Sequence, residues 1–385
     1  MPDFDSKLIF TLSQSIQIVS ANQWNRLVGT DNPFLRYEFF AALEVGNCLG
    51  SHIGWFSQYL LGKDPEGNLI GALPLFLKTN SFGEFVFDYP WIEAWEQMVG
   101  HYYPKLVVAV PFSPVTGFRL LLQPNIKTEV AQSFIQQVIT LAEKWGVSSL
   151  HWLFPQEQEL TSLTQGGHIQ RLGYQFHWYN QGYHNFDEFL ERFTSKRRKE
   201  VRRERKQVQE QGITISIIHG DEASESHWQA MYQFYLTTFE EKGNYPALSL
   251  AFFKSLGDSM GDSVILMLAQ NSQQNWIAGA FYLRSDTTLY GRYWGCTENI
   301  PGLHFELCYY QGIGYCIDHK IHAFEPGAQG EHKISRGFLP TPTWSAHWFS
   351  HPGFQTLVTQ FFTKEHKVVL QDMTELSKHS PYKQT

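Results

Sequence analysis

The sequence predicts an α/β (α+β) protein of two consecutive domains, each a mixed, largely antiparallel sheet with helices on its faces. Three observations carry this. The 385 residues are too many for one ordinary core, so two domains are expected. Apolar residues make up 43% and charged ones 17%, the balance of a packed chain. The pattern PxLxxxFFxxL occurs twice, over residues 33–43 and 246–256. In both copies Leu, Phe, Phe and Leu fall on one helical face, with Pro near the helix start.

Taken in order, residues 8–10 and 16–19 read as short strands, and a polar helix opens at Ala21 and Asn22. After the first PxLxxxFFxxL helix come an apolar strand at 53–61, a polar turn at 64–68 and a strand at 70–75. An aromatic strand at 84–89 follows, then a helix at 129–145 running into a strand at 149–154. The second copy repeats this order. Strands at 264–269 and 278–283 flank a turn at 271–275, an aromatic strand spans 287–294, and a helix at 303–317 leads to a strand at 321–324. Five elements in the same order twice indicate a duplicated domain. The division expected is 1–180 and 181–385, with residues 177–183 ending the first half.

The net charge of -7 argues against a polyanion binder by bulk charge, so any nucleic-acid contact needs a local patch. Cys48, Cys296, Cys308 and Cys316 show no CxxC pairing, which fits a reducing cytoplasm. The N-terminus has early acids and no long apolar core, unlike a signal peptide. No apolar run approaches the roughly 20 residues that a membrane helix needs.

The strongest charge run spans 195–208, with eight Lys or Arg against two Glu. One reading is a solvated helix packed through Val201 and Val208 and capped by Thr194 or Ser195. The other is a phosphate-contacting helix, with Lys196, Arg197, Arg198, Arg202 and Arg203 giving salt-dependent affinity.

Several catalytic templates are missing: GxSxG, HExxH, the P-loop and GxGxxG. The sixteen histidines show no ligand spacing, so no metal site is expected. Two polar-aromatic clusters remain as candidates for substrate contact. One holds Glu84, Asp88, Tyr89, Trp91, Tyr103, Lys105 and Arg119. The other holds Arg292, Tyr293, Trp294, His304, Glu306, Tyr310 and Gln329. Carboxylates beside aromatics can have raised pKa values and act as bases, or can serve as hydrogen-bond partners of tyrosines. The polar loop 325–333, with Glu325, Glu331, His332 and Lys333 after a short strand, is where chemistry tends to sit, and a solvated turn is the plainer reading.

The segments NPFLRYEFFAALE, GALPLFLK, GEFVFDYPW, YYPKLVVAVPFSPVTGFRLL, SKRRKEVRRERKQV, LYGRYWGC, LHFELCYYQGIGYC and FEPGAQGEHKISRGF carry a resemblance. The second half resembles the Fem-type aminoacyltransferases and the wider GNAT acyltransferase superfamily. The whole chain is similar to the FemAB-like family labelled peptidoglycan biosynthesis/recognition. The resemblance implies two tandem GNAT-like domains and acyl transfer to an amine. In it, loop 325–333 matches the polar loop ending the substrate-side strand, Lys333 matches a frequent lysine there, and the basic run matches the helix opening the second Fem-type domain. Glu325, Glu331, His332 and Lys333 become the catalytic candidates. Residues 296–302 depart from the Gly-rich pyrophosphate loop of acetyl-CoA users, with one Gly and an acid.

Three functions are therefore expected to compete. The first is a cytoplasmic acyl- or aminoacyltransferase with no permanently bound cofactor. Its donor would be acyl-CoA, or aminoacyl-tRNA held by the basic helix, and its acceptor an amine such as a cell-wall precursor. The second is a recognition module binding a glycan, peptide or nucleic acid without chemistry. The third is a hydrolase using paired carboxylates such as Glu84 and Asp88.

Overall fold

The computed structural model describes residues 8–124, 126, 128–328 and 330–383. The chain forms two compact units. The first comprises residues up to Tyr174 together with Pro342–Leu370, and the second Gln175–Thr341 with the residues from Gln371 on.

The first unit begins with β1 (Ile9–Ser13), α1 (Ala21–Val28) and α2 (Tyr37–Val45). It continues through β2 (Trp55–Ser57), β3 (Tyr59–Lys63), β4 (Leu69–Leu73), β5 (Leu75–Lys78), α3 (Tyr89–Met98), β6 (Lys105–Val108) and β7 (Leu121–Leu122). Then come α4 (Thr128–Trp145), β8 (Ser149–Leu153), α5 (Leu160–Gln165) and β9 (Ile169–Tyr179), along which the chain leaves. Ser20 and Gln23 close a capping box on α1, satisfying its first free N–H groups. Pro74 separates β4 from β5 because it has no N–H to give the ladder. The facing strand breaks at the same level, where the Gln58 N–H reaches the Leu75 carbonyl at 2.8 Å.

The second unit contains α6 (Phe186–Glu191), α7 (Ser195–Glu210), β10 (Thr214–His219), α8 (Glu225–Glu241), α9 (Leu250–Met260), β11 (Val264–Gln270), β12 (Trp276–Arg284) and β13 (Thr288–Cys296). A helix follows in three parts: α10 (Leu303–Phe305), a π-helical turn (Glu306–Tyr310) and α11 (Gln311–Asp318). β14 (Ala323–Glu325) comes next. β15 (Leu339–Phe349) and α12 (Pro352–Ser377) then carry the chain back to the first unit and, at the end, to the second.

Pairing sense shows the duplication directly. In the second unit the order is β10, β11, β12, β13, β14, β9. Neighbours are antiparallel except β13 and β14, which run parallel. In the first unit, β1 pairs β3, the broken strand β2/β3 pairs the broken strand β4/β5, and this pairs β7 and β6, all antiparallel. β6 then runs parallel to β8, and β8 antiparallel to β15. Each unit is thus a mixed, largely antiparallel sheet with one parallel step in the same place.

Helix packing follows the apolar stripes. On α4, Val130, Phe134, Ile135, Val138 and Ala142 are buried against Leu60, Ile70, Leu106 and Leu150. The Phe134 ring lies so close to the sheet that a Cβ at Gly71 would sit 2.7 Å from it, which explains the glycine. In the second unit a Cβ at Gly295 would run into the Phe234 backbone of α8. The Phe253 ring of α9 packs on Phe281 at 5.0 Å, and Tyr235 on Tyr293 at 5.0 Å.

Four details differ from the sequence reading. Residues 84–89 are not a strand: Asp88 occupies the cap of α3, and Pro90 takes its first turn, where a missing N–H is harmless. Residues 16–18 form a 3-10 turn. Pro33 and Pro246 each stand four residues ahead of a helix that starts at Tyr37 or Leu250, not in its first turn. Thr194 sits at the cap of α7 without a side-chain hydrogen bond. The expectation of consecutive halves also does not anticipate the return of 342–370, which adds β15 to β8 and packs Phe354, Val358 and Phe362 on Trp91 and Trp95.

Candidate functional site

In the second unit, β13 and β14 pair over only three positions, ending with Tyr290 opposite Glu325. β14 stops there, while β13 runs on to Cys296 with only β12 beside it. The segment beyond the parting is half-exposed: Gly291, Arg292, Tyr293 and Trp294 on β13, and 325–328 on the departing chain. Phe281 pairs Tyr293 and Tyr282 pairs Gly291, so Arg292 is the extra residue of a β-bulge. A bulge re-aims the side chain that it inserts. Gly291 leaves room at the parting, since a Cβ there would press on the Pro326 Cα at 3.3 Å.

The 3-10 turn Glu331–Arg336 brings Lys333 to this place. Lys333 is buried and its Nζ donates to the Gly327 carbonyl at 2.7 Å. Burial pushes the ammonium down to about 7, and the Arg292 charge acts in the same direction. Glu325 is pushed up to about 8 by loss of water, a shift that Arg292 opposes. Arg292 therefore acts on both groups. His177, on β9, is held near 4 by burial and by the Lys333 charge. An acid and a base with such displaced values beside a common cation are candidates for moving a proton.

The π-helical turn forms another wall. Such turns expose backbone and re-aim side chains, and are frequent at functional sites. Its Tyr309 hydroxyl lies 2.8 Å from His332 Nε2, and His304 packs on Trp294 at 5.0 Å. Buried Glu306 accepts from Arg205 of α7 at 3.1 Å and from Gln311 at 2.8 Å. Glu204 of α7 accepts from the Tyr310 hydroxyl and from Arg336 at 2.9 Å. Arg336 stacks 3.3 Å above the Phe305 ring and donates to the His332 carbonyl at 2.9 Å. The turn bearing Lys333 is thus clamped to both the π-helical turn and α7.

α7 divides by face. Val201 and Val208 are buried, with Glu204 and Arg205 beside them. Lys196, Lys199, Arg203 and Lys206 lie exposed on the opposite face. Of the five expected phosphate contacts, Arg197 is instead paired with Glu200 at 2.7 Å and Arg202 with Asp187 at 2.9 Å.

The first-unit cluster is a buried ion network. Lys78 and Lys105 face each other across β5 and β6, and both side chains are fully buried. Two lysines so placed repel unless countered. Lys105 Nζ lies 2.7 Å from Glu84 and 2.5 Å from Asp88. Lys78 lies 4.0 Å from Glu84 and 4.0 Å above the Trp55 ring, and burial takes it down to about 7. Ser81 bridges Asp88 and Tyr103 at 2.5 Å each.

Arg119 has a different task. It is fully buried and donates to the carbonyls of Leu153, Gly117 and Val115 at 2.8, 2.9 and 2.7 Å. Together with Val110, Phe112 and Val115 it fills the space past β6 and β8. At the last parallel pair of that unit Trp152 stands opposite Val108, where the second unit has Glu325 opposite Tyr290.

Of the expected site residues, Glu325, Lys333, Arg292, Tyr293, Trp294 and His304 gather around the parting of β13 and β14. Glu331 and His332 share the turn with Lys333 and are exposed. Glu306 and Tyr310 are buried partners of α7. Glu84, Asp88, Tyr103 and Lys105 belong to the first-unit ion network, Trp91 to its core, and Tyr89 to its surface. Gln329 lies outside the described residues. Sequence reasoning missed Arg336, Glu204, Arg205, His177, Lys78 and Ser81. Arg336 follows Lys333 by three residues, a signal that the polar loop already offered. Among the described residues, no group of three or more His, Cys, Asp or Glu is placed to hold a metal. No described helix is long and apolar enough to cross a membrane.

Three solved structures share this architecture. FemX is 10% identical, with a TM-score of 0.53 over 89% of this chain and 98% of that one. L-PGS from Bacillus licheniformis is 11% identical, with a TM-score of 0.50 over 86% and 98%. The C-terminal (DUF2156) domain of a proposed lysylphosphatidylglycerol synthetase from Agrobacterium fabrum is 8% identical, with a TM-score of 0.54 over 89% and 95%. At these identities the likeness is one of fold. No curated protein sequence matches the chain. The profile of the FemAB-like family, described as peptidoglycan biosynthesis/recognition, matches residues 15–384, and the chain belongs to that family.

Proposed function

We propose that this protein transfers an acyl or aminoacyl group to an amine acceptor, and that the second unit carries the chemistry. The observation behind this is the meeting of Lys333, Glu325 and Arg292 at the parting of two parallel strands. Acyl transfer to an amine needs a base for the attacking nitrogen and a donor for the oxygen that gains charge. Near neutral pH Lys333 is partly a free amine and can take the proton. It keeps its bond to the Gly327 carbonyl while its lone pair faces the acceptor. Glu325 is largely a neutral carboxyl group there and can donate to the acyl oxygen or the leaving group. Arg292 supplies fixed positive charge beside both.

The family supports a cell-wall precursor or related metabolite as acceptor. A proposed lysylphosphatidylglycerol synthetase shares the fold, so the fold accommodates attachment of an aminoacyl group. The donor is then aminoacyl-tRNA or acyl-CoA. The exposed face of α7, with Lys196, Lys199 and Arg203, favours the first. Residues 297–299 are exposed and include Glu298, which is a poor cradle for pyrophosphate.

The test is transfer of radiolabelled acyl groups from a panel of acyl-CoA and aminoacyl-tRNA donors to amine acceptors. Turnover that drops at least about a hundredfold in Lys333→Ala is expected, the usual scale of a lost general base. Absence of turnover with every donor, or turnover unchanged by Lys333→Ala, refutes the reading and leaves a binding module.

A further inference from the structure

Between Glu84 and Tyr89 the usual sorting of side chains is inverted. Glu84 and Asp88 are 4% and 1% exposed, while Phe85, Phe87 and Tyr89 are 40%, 51% and 66% exposed. Buried charge and exposed aromatics are each uncommon and each informative. Here one produces the other. Glu84 and Asp88 plug into Lys105 from the same side, four residues apart, and this turns the residues between and after them outward.

The outward pose is held firmly. Phe85 has a φ of 59°, the left-handed region that a bulky residue avoids, and it persists because both flanks are anchored. The Phe87 carbonyl accepts from Arg171 at 3.0 Å, and Arg171 is itself paired with Glu365 at 2.7 Å. Phe87 and Tyr89 stack with ring centroids 6.0 Å apart and planes 19° from parallel. The two rings lie nearly parallel and both stay exposed, so they form one aromatic patch.

The rim of this surface is acidic. Glu93 and Glu96 lie four and seven residues after Tyr89 on α3, on the same helical face, and both are exposed. Of the four acids in residues 81–99, buried Glu84 and Asp88 are matched by Lys105 and Lys78, which leaves Glu93 and Glu96 as the charge of the rim, with no Lys or Arg in the stretch. Such a rim repels phosphate, so nucleic acid and anionic membranes are poor partners. A flat aromatic surface beside carboxylates suits a ring with an apolar face and polar edges that donate hydrogen bonds.

We propose that Phe87 and Tyr89 are a stacking platform for a sugar ring whose hydroxyl or ammonium edges are read by Glu93 and Glu96. The site belongs to the first unit and does not depend on the transfer reaction.

The experiment is calorimetric titration of the full chain with a β-1,4-linked glucosamine tetramer and with cellotetraose, which has the same ring chain without amines. Saturable binding is expected, tighter for the glucosamine tetramer. Phe87→Ala and Tyr89→Ala should each weaken it by about tenfold or more, and Tyr89→Phe by less than about threefold. The double change Glu93→Gln, Glu96→Gln should erase the preference for the amine-bearing chain. Both aromatics are exposed, so these variants should fold, which circular dichroism checks. The proposal is overturned if neither oligomer binds the unaltered chain, or if the alanine variants bind as it does. It is also overturned if phosphatidylcholine vesicles, and not the sugars, capture the chain through the same two rings.

Discussion

Lys333 and Glu325 make the pH dependence of transfer quantitative. The base form of Lys333 is present above about 7, and the acid form of Glu325 below about 8. The proposed transfer needs both. Their joint fraction peaks near pH 7.5 at roughly 0.6 and falls to roughly 0.1 at pH 6 and at pH 9, about a sixfold drop on each side. The assay is initial rate of transfer, kcat/KM, measured from pH 5.5 to 9.5 at constant ionic strength. Each limb has its own substitution. Glu325→Gln keeps a donor that cannot ionise, so the alkaline limb should vanish while the acid limb stays. Lys333→Met should lower the rate by about two orders of magnitude and remove the acid limb from what remains. A rate that is flat from pH 6 to 9, or limbs that survive both substitutions, would show that these two groups do not move the proton.

Three further outcomes test the framework around the sites. Lys105→Met leaves Glu84 and Asp88 buried without their cation and should cost about 3–5 kcal/mol in urea unfolding. Burial already raises the Glu84 carboxyl, and losing Lys105 raises it further; a raised carboxyl stabilises only while protonated, so the deficit should be larger at pH 8 than at pH 5. Gly295→Ala drives a methyl into the Phe234 backbone and should destabilise by about 1–3 kcal/mol, with a lower midpoint and an unchanged slope. Arg336→Lys loses the stack on Phe305 and the paired bonds to Glu204 and His332. It should lower kcat by about tenfold while the chain stays folded, because Lys333 then rides on a looser turn.

Much of the fold was legible because it is written in periodic apolar residues. The strands at 264–269 and 278–283 and the helix at 129–145 are found within a residue or two. The twice-used PxLxxxFFxxL pattern disclosed the duplication because one core geometry imposes one spacing. Residues 84–89 resemble a strand in sequence but are not one. Their aromatic alternation mimics a strand, but the acids at 84 and 88 are drawn inward by Lys105, a partner about twenty residues away that no local pattern reveals. Lys333 and Glu325 were legible as a polar loop after a strand. Arg119 was not legible as filler, because an isolated arginine in sequence looks the same whether it meets a ligand or three carbonyls. The basic run was legible as a helix, but the pairing of Arg197, Arg202 and Arg205 depends on acids at 200, 187 and 306.

The comparison of the two copies argues for where chemistry sits. Both carry the same strand order and the same single parallel step, and both therefore inherit a gap where the parallel strands end. In the first copy that gap holds residues 109–120, with Arg119 spending its guanidinium on main-chain carbonyls and Glu159 accepting the Arg119 and Leu120 N–H groups at 2.8 and 2.7 Å. Ser113 and Arg119 are buried there, and Trp152 stands at the level that Glu325 takes in the second copy. In the second copy Arg292 and Glu325 stay half-exposed beside buried Lys333, with displaced proton affinities. A duplicated domain needs only one working cleft, and the other copy is free to fill its own. Replacing Arg119 by Leu should therefore lower stability, because it strands three buried carbonyls, and should leave kcat of the folded fraction unchanged. A selective loss of kcat in folded Arg119→Leu would instead place chemistry in the first copy.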